Sequence, residues 1–222
     1  MVEALLRERR RRSKVAALSA AAVRYAQLGW PVCAGARLRD QAHHGAGGRA
    51  CSCDRIGCPA PGAHPLSPAW QREASADQAV VRRSWQVHPA ASVLLVTGRT
   101  FDVLDVPAAA GSIALAALDR SRARPGPVAT GGQGRTLFFV ASRAAWAEDD
   151  EWWSCHLDCE PETVPAVSGL RWHCKDSYVL APPSPSAGGE PARWLVPPEA
   201  APLPDALRLL EFLADACEEI GQ

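Results

Sequence analysis

Three cysteines and a histidine lie within one 14-residue stretch of this chain. Cys51, Cys53, Cys58 and His64 occur in the segment CSCDRIGCPAPGAH, which is rich in glycine and proline and contains no apolar run. Thiolate sulfur and imidazole nitrogen are ligands that Zn²⁺ prefers in tetrahedral structural sites. Because all four ligand positions are filled, the pattern predicts a closed structural zinc site with no open position for catalysis.

Two other interpretations of these cysteines stay open, namely free thiols in a loop or disulfides in a secreted protein. Cys51 and Cys53 are too close along the chain to pair easily with each other. The basic run beginning at Arg9 superficially resembles a signal peptide, but Arg24 and Tyr25 interrupt the alanine-rich stretch that follows. We therefore expect a cytoplasmic protein whose cysteines stay reduced.

The composition sets broad limits on the fold and its partners. The 222 residues are enough for one compact domain with a sizeable core. Lys+Arg and Asp+Glu number 24 each, so no global field attracts nucleic acid and any such binding must be local. No segment is long and apolar enough to span a membrane, so we expect no membrane partner.

Hydrophobic periodicity predicts the elements that position these residues. The first helix has Leu18, Ala22 and Tyr25 at helical spacing and ends at Gly29. Ser75 and Gln78 resemble a capping box that opens a second helix. Further segments predict a buried strand at 92–98, a strand at 101–106 before Pro107, a helix at 111–118, a hairpin of 128–130 and 135–140, and a strand at 177–181. This mixture indicates an α+β fold.

The closing segment predicts an amphipathic helix. Its expected apolar face contains Leu207, Leu210, Leu213, Cys217 and Ile220. A helix docked on the core is one interpretation, and a surface for a protein partner is the other.

Several different short motifs follow one another along most of the chain. They are YAQLGWPV (25–32), GAHP (62–65), Trp85, HP (88–89), TG (97–98), VLD (103–105), GGQGR (131–135) with FF (138–139), and YVLAPPS (178–184). In this order they resemble the bifunctional DNA primase/polymerase (prim-pol) domain of the archaeo-eukaryotic primase superfamily. The resemblance spans about residues 20 to 195.

The resemblance implies a bilobed single α+β domain with an inserted zinc loop. Its cleft is expected to bind template, nucleotide and divalent metal. The expected organisation is a basic N-terminal helical extension (1–19), a prim-pol-like domain (20–200) with the zinc loop at 51–64, and a C-terminal amphipathic helix (201–222).

The chemistry that the resemblance implies is phosphoryl transfer with two divalent ions. It needs an Asp-x-Asp pair on a strand, because a period of two puts both carboxylates on one face. Here Asp105 is the implied catalytic residue, but Pro107 replaces its partner. Asp102 lies three residues away and therefore points to the opposite face of the strand.

Two further positions depart from the pattern of the family. The segment GQGRT (132–136) corresponds to Gly-Gly-x-His, with Thr136 at the histidine position and Arg135 beside it, so both are the implied nucleotide phosphate ligands. Arg171 stands where a third acid is expected, although Asp176 lies nearby. One carboxylate does not normally organise two metals, so Mg²⁺ or Mn²⁺ is expected only if the protein is active.

Several of these residues also have purely structural interpretations. The glycines at 131–134 suit either a tight hairpin or a cradle of N–H groups for phosphate. Asp105 before a proline turn is also typical of a turn cap. The basic run suits either a grip on the phosphate backbone of nucleic acid or a solvated helix end. Its residues are Arg9, Arg10, Arg11 and Arg12.

A second group of cysteines and histidines lies further along the chain. It comprises Cys155, His156, Cys159, His173 and Cys174. The spacing allows a second metal site, but we favour free structural cysteines, because Cys155-x3-Cys159 is less diagnostic than a C-x2-C pair.

These observations favour one function and leave two others open. The leading hypothesis is a catalytically degenerate primase/polymerase-like protein that binds single-stranded DNA or a nucleotide as an accessory or regulatory factor. The first alternative is an active primase/polymerase that uses Asp105 with Asp158 or Asp176. The second is a zinc-stabilised protein-interaction module.

Overall fold

The computed structural model describes residues 1–39, 50–142 and 169–221. In chain order its elements are α1 (Val2–Gln27), β1 (Val32–Gly35), β2 (Leu38–Arg39), β3 (Ala50–Cys51), α2 (Trp70–Glu73), α3 (Gln78–Val87), β4 (Ser92–Val96), β5 (Phe101–Pro107), α4 (Ala108–Arg120), β6 (Val128–Thr130), β7 (Arg135–Ala141), β8 (Arg171–His173), β9 (Tyr178–Leu180), β10 (Trp194–Val196) and α5 (Ala206–Gly221).

The chain divides into two compact units. The first comprises Met1–Leu95 and Leu180–Pro191, and the second comprises Val96–Val179 and Ala192–Gln222. Helices and strands occur in both units, which confirms the predicted α+β class. The bilobed arrangement of a single domain stays a prediction.

In the first unit, α1 is one continuous helix that is buried only near its end. Its buried residues are Leu18, Ala22, Tyr25 and Ala26, and no residue before Leu18 is buried. The Tyr25 hydroxyl donates a hydrogen bond of 2.6 Å to the carbonyl of Pro182, which anchors the buried end. The expected boundary between residues 19 and 20 therefore lies inside one helix.

Strand β4 is the central strand of a three-stranded sheet with the order β1-β4-β9. Strands β1 and β4 are antiparallel, with Val32 opposite Leu95. Every residue of β4 is buried, as its uniformly apolar sequence predicts.

Helix α3 begins differently from the prediction. Asp77 is its N-cap, and its side chain accepts hydrogen bonds from the N–H groups of Ala79 at 2.7 Å and Val80 at 3.1 Å. The Ser75 hydroxyl instead accepts the N–H of Asp77 at 3.0 Å, one step before the helix. The predicted Ser75 cap is therefore wrong by two residues, because an aspartate next to the first turn satisfies the free N–H groups directly.

The second unit contains a five-stranded antiparallel sheet with the order β10-β6-β7-β5-β8. One face of this sheet forms a core with α4 and α5, and its largest fully buried members include Trp172, Phe138 and Leu104. Because side chains alternate along a strand, Leu104 and Val106 of β5 face this core, while Val103 and Asp105 lie on the other face.

The hairpin predicted between β6 and β7 is confirmed. Thr130 lies opposite Thr136, and the N–H of Gly131 donates to the carbonyl of Arg135 at 2.7 Å. Gln133 and Gly134 have φ values of 57° and 73°, so the turn uses left-handed backbone, which glycine adopts without strain.

Helix α5 packs on the core, but its buried face differs from the prediction. Leu207 and Ile220 are 53% and 39% exposed. The buried residues are Ala206, Leu209, Leu213, Ala216 and Cys217. Apolar residues occur on two adjacent stripes of this helix, and packing against α4 selects the stripe whose alanines permit close approach. A protein partner for this helix stays a prediction.

Among the described residues, no helix combines the length and apolar character that a membrane span requires.

Candidate functional site

The four predicted metal ligands lie together in the first unit. The ligand atoms of Cys51, Cys53, Cys58 and His64 are all within 4.8 Å of one another. Ligand atoms in a tetrahedral zinc site are roughly 3.8 Å apart, because the Zn–S distance is about 2.3 Å. The group is therefore a potential metal-binding site that is compatible with zinc.

Short strands and turns bring these ligands together. Cys51 ends β3, which pairs with β2, and the His64 carbonyl accepts the N–H of Ala36 at 2.7 Å just after β1. Gly62 has a φ of 76°, and a β-carbon there would lie 2.7 Å from the Leu38 side chain. Only glycine fits this approach between the loop and β2, which explains why the loop needs that residue.

The imidazole of His64 is oriented for metal binding. Its Nδ1 lies 2.9 Å from the carbonyl oxygen of Pro65, and because a carbonyl only accepts, Nδ1 carries the proton. The other nitrogen, Nε2, lies 3.2 Å from the sulfur of Cys51. A hydrogen bond that fixes the tautomer in this way is typical of metal-bound histidines.

The thiols of the group have perturbed pKa values. Burial raises the pKa of Cys51, but hydrogen bonds from the backbone N–H groups of Cys53 and Gly62 outweigh burial and lower the pKa to about 6. Burial, together with the neighbouring thiols of Cys53 and Cys51, raises the pKa of Cys58. Cys51 is therefore largely a thiolate at neutral pH, and a cation would relieve repulsion between the sulfurs.

The second predicted metal group is only partly described. Cys155, His156 and Cys159 lie outside the described residues. His173 is described, and its ring contacts Asp105 and Ser177. Free structural cysteines therefore stay the favoured prediction, and a second metal site stays the open alternative.

Asp105 lies on β5 in the second unit and is 5% exposed. Arg135, the first residue of β7, donates from Nε to Asp105 Oδ1 at 2.7 Å. Its Nη2 donates to the backbone carbonyl of Asp105 at 3.0 Å and to that of Gly169. The two side chains form an ion pair, and counting side-chain atoms alone, 17% of the arginine and 7% of the aspartate are exposed. Asp105 therefore has a fixed cation next to one oxygen.

The other carboxylate oxygen of Asp105 contacts His173. The ring Nε2 lies 3.2 Å from Asp105 Oδ2 and donates to it, because an ionised carboxylate only accepts. The ring Nδ1 lies 3.0 Å from the hydroxyl of Ser177. Both oxygens of Asp105 are thus engaged by groups of the protein itself.

Strand register decides which other side chains share this face. Asp105 lies directly opposite Leu137 on β7 and Arg171 on β8. Cross-strand partners point to the same face, so the exposed Arg171 lies beside Asp105. Pro107, at the position of the second carboxylate, pairs with Arg135. We refer below to Asp105, Arg135, Arg171 and His173 as the arginine face.

Two candidate residues, Asp102 and Thr136, lie on the core face of the sheet, opposite the arginine face. The carboxylate of Asp102 is 3.3 Å from the indole nitrogen of Trp172, a core residue, so its predicted position on the opposite face is consistent with the register. Thr136 is 4% exposed, and a β-carbon at Gly111 of α4 would come within 2.6 Å of it. This placement disfavours direct contact between Thr136 and a ligand on the arginine face.

Of the two alternative acids, only Asp176 belongs to the described residues, and it makes no described contact with Asp105. Asp176 is exposed in the turn between β8 and β9, where its φ is 60°. Asp158 lies outside the described residues.

The basic run lies on the exposed part of α1. Glu8 forms ion pairs with Arg11 at 2.9 Å and with Arg12 at 2.8 Å. Hydrogen bonds from Arg11 and then Arg12 lower the pKa of Glu8 to about 2. Among the described residues, Arg9 and Arg10 have no acidic partner, so they are the more available cations of the run.

Sequence reasoning missed the contact of Asp105 with His173 and the contact of Arg135 with Gly169. The sequence of β8 holds a clue to the contact with His173. Side chains alternate along a strand, so Arg171 and His173 must share the face opposite Trp172. Gly169 has a φ of 92°, and a β-carbon there would lie 2.8 Å from Pro107. Its conformation lets its carbonyl reach Arg135, which no local pattern predicts.

Comparison with known proteins identifies the family. A search of curated proteins found no match. The sequence matches the family described as "Bifunctional DNA primase/polymerase, N-terminal" over residues 22–206, which is most of the chain. The match covers the candidate metal loop and the whole of β5, β7 and β8. This chain therefore belongs to the bifunctional DNA primase/polymerase N-terminal domain family.

Proposed function

We propose that this protein is a primase/polymerase-like pseudoenzyme that no longer transfers nucleotides and acts as a nucleic-acid- or nucleotide-binding accessory or regulatory factor in DNA replication. Membership of the family supports interaction with nucleic acid or nucleotide. The degenerate site and the accessory role are the parts that experiment must test.

The observation that carries the proposal is the engagement of Asp105 by Arg135 and His173. The family chemistry implies two divalent ions held by carboxylates. On the arginine face, Asp105 pairs with Arg135 and lies in register with the exposed Arg171, and both of its carboxylate oxygens already accept hydrogen bonds. Metal binding here would require breaking an ion pair and placing a cation beside two others. These residues do not fit a pair of Mg²⁺ or Mn²⁺ ions.

The cysteine group supports a separate, structural role for Zn²⁺. Cys51, Cys53, Cys58 and His64 would hold the ion, which would cross-link the end of β3 to the loop that follows it. The backbone of His64 also pairs with the segment after β1. When bound, zinc supplies a fixed four-way link and no reaction step. We assign it to stability of the first unit.

We expect no primer extension and no de novo priming with either Mg²⁺ or Mn²⁺. The assay uses purified full-length chain, a primed and an unprimed DNA template, and all four deoxynucleoside triphosphates. An authentic polymerase in the same buffers is the positive control. Extension that is abolished by Asp105→Ala would contradict the proposal, because it would require this carboxylate to hold a metal.

We expect binding of single-stranded DNA to depend on the basic run of α1. Four phosphate contacts would make binding about 50-fold weaker when salt rises from about 50 to about 200 mM. Replacing the run by alanines should flatten this dependence, measured by fluorescence anisotropy of a labelled oligonucleotide. Its members are Arg9, Arg10, Arg11 and Arg12.

The matched control compares two halves of this run. Because Glu8 already pairs with Arg11 and Arg12, their replacement should weaken DNA binding less than replacement of Arg9 and Arg10. An unchanged salt dependence in the fourfold variant would show that these arginines form only a solvated helix end.

A further inference from the structure

We infer that the arginine face binds a phosphate group directly, without a divalent metal ion. This inference rests on the proposed function, because it assigns the ligand chemistry of the same degenerate site. The phosphate is that of a free nucleotide or of a nucleic-acid strand. In this arrangement guanidinium groups supply the positive charge that metals supply in two-metal nucleotidyl transfer.

The charge balance of the face favours an anion. Among the described residues, the guanidinium groups of Arg135 and Arg171 share this face with one carboxylate, that of Asp105. His173 is neutral or positive, so it never adds negative charge. A divalent cation would meet net repulsion at this place, whereas a phosphate would meet net attraction.

Arg135 is already held in place for such a ligand. Its Nε and Nη2 donate to Asp105 and to two backbone carbonyls, which fixes the plane of the guanidinium. Its Nη1 donates to no described residue and therefore keeps two N–H groups for a ligand. A pre-oriented arginine loses little side-chain entropy when it binds a phosphate.

Arg171 is the second contact. It lies on β8, the edge strand of the sheet, and is exposed directly opposite Asp105. Among the described residues it has no acidic partner. A guanidinium in this position can form a two-pronged hydrogen bond to phosphate oxygens, which a point charge cannot reproduce.

Asp105 has an unusual role in this arrangement. In a two-metal site the carboxylate attracts the cations that hold the nucleotide, so its neutralisation weakens nucleotide binding. On the arginine face Asp105 positions Arg135 but repels the phosphate. Its neutralisation should therefore strengthen binding, which is the opposite sign.

The experiment measures equilibrium binding of three probes to the full chain in EDTA and in excess Mg²⁺. The probes are deoxyadenosine triphosphate, inorganic phosphate and a short single-stranded oligonucleotide. We expect the triphosphate to bind at least as tightly in EDTA, because magnesium masks part of its charge. Tighter binding of the triphosphate than of the oligonucleotide would identify a free nucleotide as the source of the phosphate, and the reverse order would identify a strand.

Three variants test the residues of the face. Arg171→Ala should weaken binding in EDTA about tenfold, since a charge-assisted hydrogen bond is lost, and Arg171→Lys should restore part of it. Asp105→Asn should strengthen binding about fivefold by removing repulsion. Arg120→Ala, another exposed arginine of the same unit, is the matched control and should change nothing.

Absence of triphosphate binding in EDTA, or binding in EDTA that Arg171→Ala leaves unchanged, would overturn the inference, as would weaker binding by a folded Asp105→Asn protein. If Asp105→Asn fails to fold, the comparison of EDTA with Mg²⁺ in the unmodified chain still decides the question. These results are independent of the primer-extension assay, which tests the proposed function. Metal-dependent binding without extension would refute the inference alone.

Discussion

Cys53→Ser is expected to remove the bound metal and to lower the free energy of unfolding of the chain by about 3 kcal/mol. Loss of outer-shell partners alone weakens metal sites about 10- to 100-fold, so loss of a direct ligand should weaken this one at least 100-fold. At saturating metal, a 100-fold weaker site corresponds to about 2.7 kcal/mol of stability. Thermal unfolding and metal analysis of purified protein measure the two effects.

The position of Cys53 makes this test informative. Its side chain is exposed, so replacement by serine disturbs little packing, and any large loss of stability must come from its role as a ligand. Ile56→Ala is the matched control, because it changes a fully exposed residue of the same loop that carries no ligand atom, and it should leave about one metal ion per chain. Protein that contains no metal, or a Cys53→Ser protein that retains it, would refute the assignment.

The same site should lose metal as the pH falls. The ligands must be deprotonated, so protons compete with the metal for the thiolates and the imidazole. Because the pKa of Cys51 is about 6 before metal binds, this thiol needs no deprotonation at neutral pH, and protons displace the metal from it only in more acidic solution.

A chelator should reproduce the unfolding behaviour of Cys53→Ser at neutral pH.

Arg135→Ala is expected to cost about 3 kcal/mol of unfolding free energy, the second large effect. It removes the ion pair with Asp105 and the hydrogen bonds to two backbone carbonyls. Asp105 would remain 5% exposed, with only His173 beside its carboxylate. An uncompensated buried charge is the reason for the size of the loss. Urea unfolding of the two proteins provides the measurement.

Two further variants separate charge from packing. The double variant Arg135→Ala with Asp105→Asn should recover part of the loss, because it leaves no buried carboxylate without a cation. Arg171→Ala should change the unfolding free energy by less than about 0.5 kcal/mol, since this arginine is exposed. If Arg135→Ala were as stable as the unmodified chain, the ion pair would not be what keeps Asp105 in this environment.

Much of the fold followed from local pattern. The uniformly apolar run at β4 predicted a fully buried strand, and the glycines before β7 predicted a tight hairpin. The candidate metal group could also be predicted from the sequence, because its four ligands occur within 14 residues and a single loop can bring them together. The lack of a second carboxylate on the Asp105 face of β5 followed from the period of a strand, which put Asp102 on the other face and Pro107 on this one.

Other features depended on which segments pack together. Apolar periodicity located α5 but not its buried stripe, since two stripes were similarly apolar and contact with α4 selected one. The helix cap at Asp77 was missed for a related reason, because several polar residues before a helix can cap it and the backbone path selects among them.

The environment of Asp105 was beyond any local pattern. Its two partners are 30 and 68 residues away along the chain, and the order and register of β7, β5 and β8 bring them to the same carboxylate. A slip of one residue in β8 would put Trp172 on this face in place of Arg171 and His173. The sequence by itself determined the ligand spacing of the metal group and the missing second carboxylate, because both depend on nearby residues. Only the tertiary structure decided that Arg135 and His173 engage the carboxylate of Asp105, because strand pairing over long separations sets those contacts.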